Sequence, residues 1–254
     1  MKNDLSNRTV LITGASSGFG SHFARAAASA GASVVLAARR ADRLSALASE
    51  IVGAGGKAAA VTMDVTDEAS IKAGFDEAEA AFGPVDSLIA NAGISTPGSA
   101  LGIPTASFDE MLGINLRGVF LSAREAASRM IAAGAPQRGH GRIVLLGSIG
   151  SHQVLPKLTT YNTTKAAVLM MGKSLAHEWA GKGINVNTIM PGYVATELND
   201  EWLASPAGQD LIGSFPRKRL MVADDLMPIT LYLCSDASRA ITGGGFALDD
   251  GQSL

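Results

Sequence analysis

Tyr161 and Lys165 stand four residues apart in YNTTKAAVLMMGKSLAHEWAG, a stretch with no proline and no breaker strong enough to stop a helix. Side chains at i and i+4 share a helix face, so the phenol and the ammonium point into one cleft. The chemistry open to such a pair is proton transfer. A free phenol has a pKa of about 10, and bringing it near 7 takes about 4 kcal/mol of preference for the phenolate. One cation at ~4 Å, with an effective dielectric near 20, supplies about that much. An isolated YxxxK reads better as a core tyrosine beside a snorkelling lysine. Ser148 shifts the balance, because it ends the apolar run GRIVLLGS thirteen residues before Tyr161. If that run is a strand of a parallel sheet, its carboxyl end opens on the crevice where ligands bind, and the hydroxyl can polarise a substrate oxygen there. A Ser-His-Asp hydrolase is set aside: GSIGS is not G-x-S-x-G, and no helix is expected to start at once after Ser148.

A second cluster lies near the start of the chain. Gly14, Gly18 and Gly20, in TGASSGFG, come where the apolar run RTVLIT hands over to the alanine-rich FGSHFARAAASAG. At a strand-to-helix turn the first backbone N–H groups and the positive end of the helix dipole form a cradle for a pyrophosphate. A plain connector is the weaker alternative, and the Walker pattern is excluded because no Lys followed by Ser or Thr comes after the last glycine. The next run, ASVVLAA, ends where charge selects between nicotinamide cofactors. An acidic residue there would accept from the ribose 2′-hydroxyl and repel a 2′-phosphate. This chain instead has Ala38 followed by Arg39 and Arg40. A guanidinium binds phosphate bidentately, and Ser16 can add a hydroxyl, so the pair predicts NADP with NAD still open. The alternative is that both arginines are a solvated helix start.

These groups need a scaffold that brings strand ends together. Runs rich in Val, Ile and Leu alternate with longer segments of helical period: RTVLIT, ASVVLAA, KAAAVTM, VDSLIA, GRIVLLGS, INVNTIM and GGFALD. Continuous rather than alternating hydrophobicity marks strands covered on both faces. The fold expected is α/β: a single-domain, Rossmann-like, doubly wound sheet of seven mostly parallel strands with helices on both faces, rather than a barrel, which needs an eighth strand. No linker or repeat divides residues 1–254, and GAPQRGHG at 134–141 reads as a surface loop.

The spacing T-G-x-x-x-G-x-G resembles the short-chain dehydrogenase/reductase family, and the resemblance continues in order along nearly the whole chain. Asp64 ends strand three, Asn91-Ala92-Gly93 follows strand four, Asn115 lies in the next helix, and Ser148, Tyr161-x-x-x-Lys165, Pro191-Gly192 and Thr196 follow. The resemblance implies a catalytic set of Asn115, Ser148, Tyr161 and Lys165. Asn115 bends its helix, and its freed carbonyl holds a water that links Lys165 to solvent. The glycine turn, with Ser16, Ser17 and Phe19, takes the cofactor phosphates; Asp64 and Val65 flank the adenine; Asn91, Ala92 and Gly93 let the cofactor approach the backbone. After Pro191 and Gly192, the Val194 backbone and the Thr196 hydroxyl hold the carboxamide. One departure is Ser17, where NADP-using members often carry a basic residue.

The implied reaction is reversible reduction of a ketone or aldehyde to an alcohol, with Tyr161 as general acid/base. The lid expected over 196–217 carries Trp202, Leu203, Leu211 and Phe215. With Ile149, Val154 and Leu155, and with His152 nearby, these favour a hydrophobic ketone over a polyol. A 3-oxoacyl-thioester reductase shares every motif. A non-catalytic NADP-sensing protein on the same fold should have lost part of the catalytic set. The composition, 47% hydrophobic and 17% charged with a net charge of −2, gives no general attraction to nucleic acid or acidic membranes, and no apolar run approaches a membrane span, so the expectation is a cytoplasmic protein with no metal. Cys234, the one cysteine, reads as a buried apolar side chain. Surplus apolar positions Val168, Met170, Met171 and Leu175 point, with the family likeness, to a homo-oligomer, a tetramer or dimer, in which GGFALDDG forms a second interface.

Overall fold

The computed structural model describes residues 4–195 and 200–254. Among them, β1 (Thr9–Thr13), β2 (Ser33–Ala38), β3 (Lys57–Thr62), β4 (Ser87–Ala90), β5 (Gly141–Leu146), β6 (Ile184–Pro191) and β7 (Gly245–Leu248) form one sheet in the order β3-β2-β1-β4-β5-β6-β7. Every pairing is parallel. The seven apolar runs are therefore the seven strands. Between them lie α1 (Gly18–Ser29), α2 (Ala41–Gly53), α3 (Glu68–Phe82), α4 (Thr105–Leu112), α5 (Val119–Ala132), the single turn α6 (Ala135–Arg138), α7 (Thr159–Trp179), α8 (Asp200–Ala204), α9 (Pro206–Ser214) and α10 (Met227–Cys234). None of these helices is long and apolar enough to cross a membrane.

Alternate residues of each strand feed two cores. Val10 and Ile12 of β1 pack with Phe23 of α1, Leu44 of α2 and Leu233 of α10. Leu11 faces the other way, toward Phe75 of α3, Leu121 of α5 and Val168 of α7. Both faces are apolar, which is why β1, β2, β4 and β5 read as nearly unbroken hydrophobic runs. The outer strands β3 and β7 depart from that pattern and leave several positions open, since each has a neighbour on one side only. Cys234 is fully buried in the first core, and burial pushes its thiol up to about 12.

One local feature differs from the sequence reading: residues 134–141, expected as a loop, contain α6, bracketed by Gly134 and Gly139 at φ 93° and 61°. The helix around Asn115, expected to bend there, carries a π-helical turn, Gly113–Gly118, between α4 and α5. Gly118 in that turn presses against the segment after β3, where a Cβ would lie 2.8 Å from Val65 Cγ2.

Candidate active site

The strand order reverses between β1 and β4, and the crevice outside their carboxyl ends is where an open parallel sheet binds ligands. The glycine turn lies on one side of it, and Asn91-Ala92-Gly93 on the other. Gly14 and Gly18 take φ of 68° and 53°, the left-handed region that glycine enters freely. A Cβ on Gly14 would lie 2.8 Å from Ala92 Cα, and one on Gly20 would lie 2.3 Å from Gly14 O, so both positions are closed to a side chain. Thr13 and Asn91 lock the two loops together. The Asn91 amide donates to Thr13 O at 2.9 Å, while Asn91 N and Ala92 N donate to Thr13 Oγ1 at 3.0 and 3.1 Å. Ser17 heads α1 without a side-chain capping bond, and nothing lies within 4 Å of where a Gly18 Cβ would sit. The start of α1 is thus an open, donor-rich face that fits a pyrophosphate. Phe19 contributes only backbone there, because its ring turns into the core toward Phe23, 6.3 Å away.

Arg40 crosses from the end of β2 to that turn. Its guanidinium donates to Ser16 Oγ at 2.8 and 3.1 Å and to Ser17 Oγ at 2.7 Å. The cation absent from position 17 itself is therefore delivered to Ser17 from a different strand, which spacing within the glycine motif could not reveal. A cavity of about 320 Å³ beside it is lined by Ser16, Ser17, Gly18, His22 and Arg43. Arg39 is exposed and faces Asp64. Hydrogen bonds from Thr66 hold the Asp64 carboxyl below its ordinary range, and Arg39 adds a smaller pull. Val65 is buried beside it.

The four residues of the expected catalytic set converge. Asn115 is fully buried in the π turn, and its side chain grips the loop after β4: Oδ1 accepts from Ile94 N and Nδ2 donates to Ile94 O, both at 2.8 Å. Nδ2 also reaches Thr164 Oγ1 at 3.3 Å, and Thr164 in turn donates to Tyr161 O at 2.8 Å. A Cβ on Gly93 would stand 3.3 Å from Asn115 Oδ1 and 3.5 Å from Lys165 Nζ, so the loop closes on both residues. Lys165 is 3% exposed, its Nζ donates to Leu146 O at 2.8 Å and lies 5.7 Å from the Tyr161 ring centroid. Burial pulls its ammonium down to about 8.

Ser148 begins a 3-10 turn, Ile149–Ser151, which starts directly after the strand where no helix was expected. Its Oγ accepts from Gly150 N at 3.1 Å, leaving its own proton to give, and its side chain favours the phenolate form of Tyr161. Ser151, which the sequence reading passed over, ties the pieces together: its Oγ accepts from Ser148 N at 3.2 Å and donates to Lys165 O at 2.9 Å. The electrostatics differ from the simple phenol–ammonium argument. Burial pushes the Tyr161 phenol up, and the opposing influence comes from Ser148. The ammonium lies against the ring and is engaged by Leu146, so it does not by itself bring the phenol near neutrality in this arrangement.

On the substrate side the expected apolar lining is largely packed away. Ile149, Leu155, Leu203 and Phe215 are buried, and His152 and Val154 are exposed on the loop before α7. Trp202 is half exposed and stacks on Tyr193 with ring centroids 6.3 Å apart. Tyr193 itself was legible only as the residue after Pro191-Gly192. Val194 is buried and bridges to Met221, while Thr196 lies outside the described residues.

A family model described as enoyl-(acyl carrier protein) reductase matches residues 14–253. D-threitol dehydrogenase of Mycolicibacterium smegmatis is 34% identical over 98% of this chain and 94% of its own length. Gluconate 5-dehydrogenase of Gluconobacter oxydans is 33% identical over 97% and 95%. Among solved structures, a gluconate 5-dehydrogenase from Burkholderia cenocepacia in complex with NADP and tartrate superposes with a TM-score of 0.93 at 34% identity, covering 99% of this chain and 97% of that one. A short-chain type dehydrogenase/reductase from Mycobacterium marinum does so with a TM-score of 0.91 at 36% identity, over 100% and 98%. With the ordered motifs, the parallel sheet and the site geometry all in agreement, the chain belongs to the short-chain dehydrogenase/reductase family.

Proposed function

We propose that this chain is an NADP(H)-dependent oxidoreductase that interconverts an alcohol and its carbonyl compound, with Tyr161 as general acid/base. The observation that carries this reading is the convergence of the Tyr161 hydroxyl, Ser148 and the buried Lys165 ammonium at the β1/β4 crevice. Bound NADP(H) supplies hydride exchange at its nicotinamide C4. Ser148, whose hydroxyl faces the Tyr161 phenol, holds the substrate oxygen beside it. Tyr161, kept protonated by burial, gives its proton to that oxygen in reduction and takes it back in oxidation. Lys165 supports the phenolate through its charge beside the ring, and Asn115 with Thr164 fixes the backbone of Tyr161. Arg40, Ser16 and Ser17 fit the 2′-phosphate, and the open start of α1 fits the pyrophosphate.

The substrate class proposed is a polyol or sugar acid and the corresponding keto compound, in place of the hydrophobic ketone expected from the lid composition. Relatives named for D-threitol, gluconate and galactitol support it, as does the burial of Leu203 and Phe215. We also propose that the chain self-associates through α5 and α7, where Phe120 and Met170 are exposed, and light scattering reads this directly. The enzymatic test follows absorbance at 340 nm with NADP and D-threitol, galactitol or gluconate, and with NADPH and acetophenone or an acetoacetyl thioester. Tyr161→Phe should bind NADPH within about twofold of wild type yet lose turnover by 10²–10⁴-fold, the usual contribution of a general acid/base. Retained turnover would remove Tyr161 as the proton donor, and tight cofactor binding with no turnover on any substrate would favour a sensor.

A further inference from the structure

The ladder between β6 and β7 ends at Pro191 and Leu248, with Gly192 N donating to Leu248 O at 3.0 Å. Beyond it a side chain takes over from the strand. Gln252 Oε1 accepts from Tyr193 N at 2.6 Å, and Gln252 Nε2 donates to Tyr193 O at 3.1 Å. A carboxamide offers an acceptor and a donor side by side, so it can pair with both backbone groups of one residue as a neighbouring strand would. The turn that delivers it is built for the purpose. Asp249 accepts from Gly251 N at 3.0 Å and Ser253 N at 3.2 Å, and Asp250 is held by Arg217 at 3.1 Å and Arg219 at 2.7 Å. Gln252 is 6% exposed, and Gly192 leaves room for it where a Cβ would stand 2.3 Å from Oε1.

The residue so gripped lies within electrostatic reach of Tyr161. The Tyr193 ring stacks on Trp202 at 6.3 Å and on Phe215 at 5.7 Å, tilted by 26° and 30°. Burial pushes its phenol up, and the nearby Tyr161 adds to that, which places the two tyrosines within electrostatic reach. Tyr193 therefore joins the neighbourhood of Tyr161 to Trp202 of α8 and to Phe215 at the end of α9.

We propose that Gln252 is a positioning residue for the reaction: its carboxamide sets the place of Tyr193, and Tyr193 is the specificity-determining residue that decides which substrates fit against Tyr161. This rests on the oxidoreductase reading above.

The test compares wild type with Gln252→Ala and Gln252→Glu in the full chain, using dihydroxyacetone as a small probe and acetophenone as a bulky one. Gln252→Ala should reduce the ratio of kcat/KM values between the two probes by about fivefold or more, mainly through KM, with the Kd for NADPH changed less than twofold. Gln252→Glu keeps the acceptor for Tyr193 N–H but sets a carboxylate against Tyr193 C=O. It should therefore lose discrimination at pH 8 and regain it as the pH falls toward ~5 and the carboxyl protonates to become a donor again. A purely structural role would lower thermal stability and leave both the ratio and its pH dependence as in wild type, which overturns the proposal. Should wild type turn over neither probe, nor D-threitol, galactitol or gluconate, the oxidoreductase reading fails separately, and Trp202 emission still reports on the stack. In a Trp179→Phe background, Gln252→Ala must shift that emission, and an unchanged spectrum overturns the positioning role.

Discussion

Lys165 carries a charge where the fold least welcomes one, and removing it should stabilise the protein. The ammonium is 3% exposed, and burial lowers its pKa from an ordinary 10.5 to about 8. That difference corresponds to about 3 kcal/mol of preference for the neutral form. The cost is fully present below pH 8. Between pH 8 and 10.5 the unfolded chain holds the proton more often than the folded one, so wild-type stability rises with pH, and above that range the cost is gone. Lys165→Met keeps the apolar stem and most of the volume while removing the charge. It gives up the bond from Nζ to Leu146 O, worth about 1 kcal/mol net. The variant should therefore be more stable than wild type by about 2 kcal/mol at pH 7, or roughly 4–8 °C in Tm for a chain of this size. Thermal or urea unfolding at pH 7, 8, 9 and 10, at matched protein concentration, should show the two stability curves converging as pH rises. A variant less stable than wild type at pH 7, or curves that stay parallel from pH 8 to 10, would refute the reasoning. Turnover should collapse in the stabilised variant, because the destabilising charge is the one the chemistry needs.

Arg40→Ala should weaken NADPH on the order of tenfold or more, the value of a charged hydrogen bond, while NADH binding changes less than twofold; equal losses for both cofactors would take Arg40 away from the 2′-phosphate. Gly20→Ala forces a Cβ to 2.3 Å from Gly14 O and should lower Tm and abolish cofactor binding. Gly18→Ala meets open space and should cost only about 1–2 kcal/mol of left-handed strain, so equal stability losses in the two variants would contradict the turn geometry. Cys234, with its thiol pushed up to about 12, should resist a disulfide reagent at pH 8 until the protein unfolds, and prompt labelling of the native protein would show the core to be open there.

The legible parts of this molecule are those set by local pattern. Two-sided burial wrote unbroken apolar runs into β1, β4 and β5, and a glycine-rich turn after the first of them located the crevice. Tyr161 and Lys165 could be paired because one helix carries both, and Ser148 because a strand end is a fixed place in a parallel sheet. The rest depends on partners remote in sequence. Arg40 meets Ser17 across 23 residues and Gln252 meets Tyr193 across 59, and neither pair has a periodicity to betray it. The lid is hard to read for a related reason: Leu203 and Phe215 look like pocket lining in the sequence, while the fold buries both, Phe215 against Tyr193.

The π turn at Gly113–Gly118 has a consequence for how this chain tolerates insertion and deletion. A residue beyond the α-helical count advances the helix phase by about 100°, so α4 and α5 are two helices in different rotational settings joined without a break. Loss of one residue from the turn would restore a uniform helix and rotate α5 against the sheet, carrying Val119, Leu121 and Ala123 out of the core they fill. Length in this six-residue segment is thus constrained as well as side-chain identity at Asn115 and Gly118, unlike an ordinary surface connection.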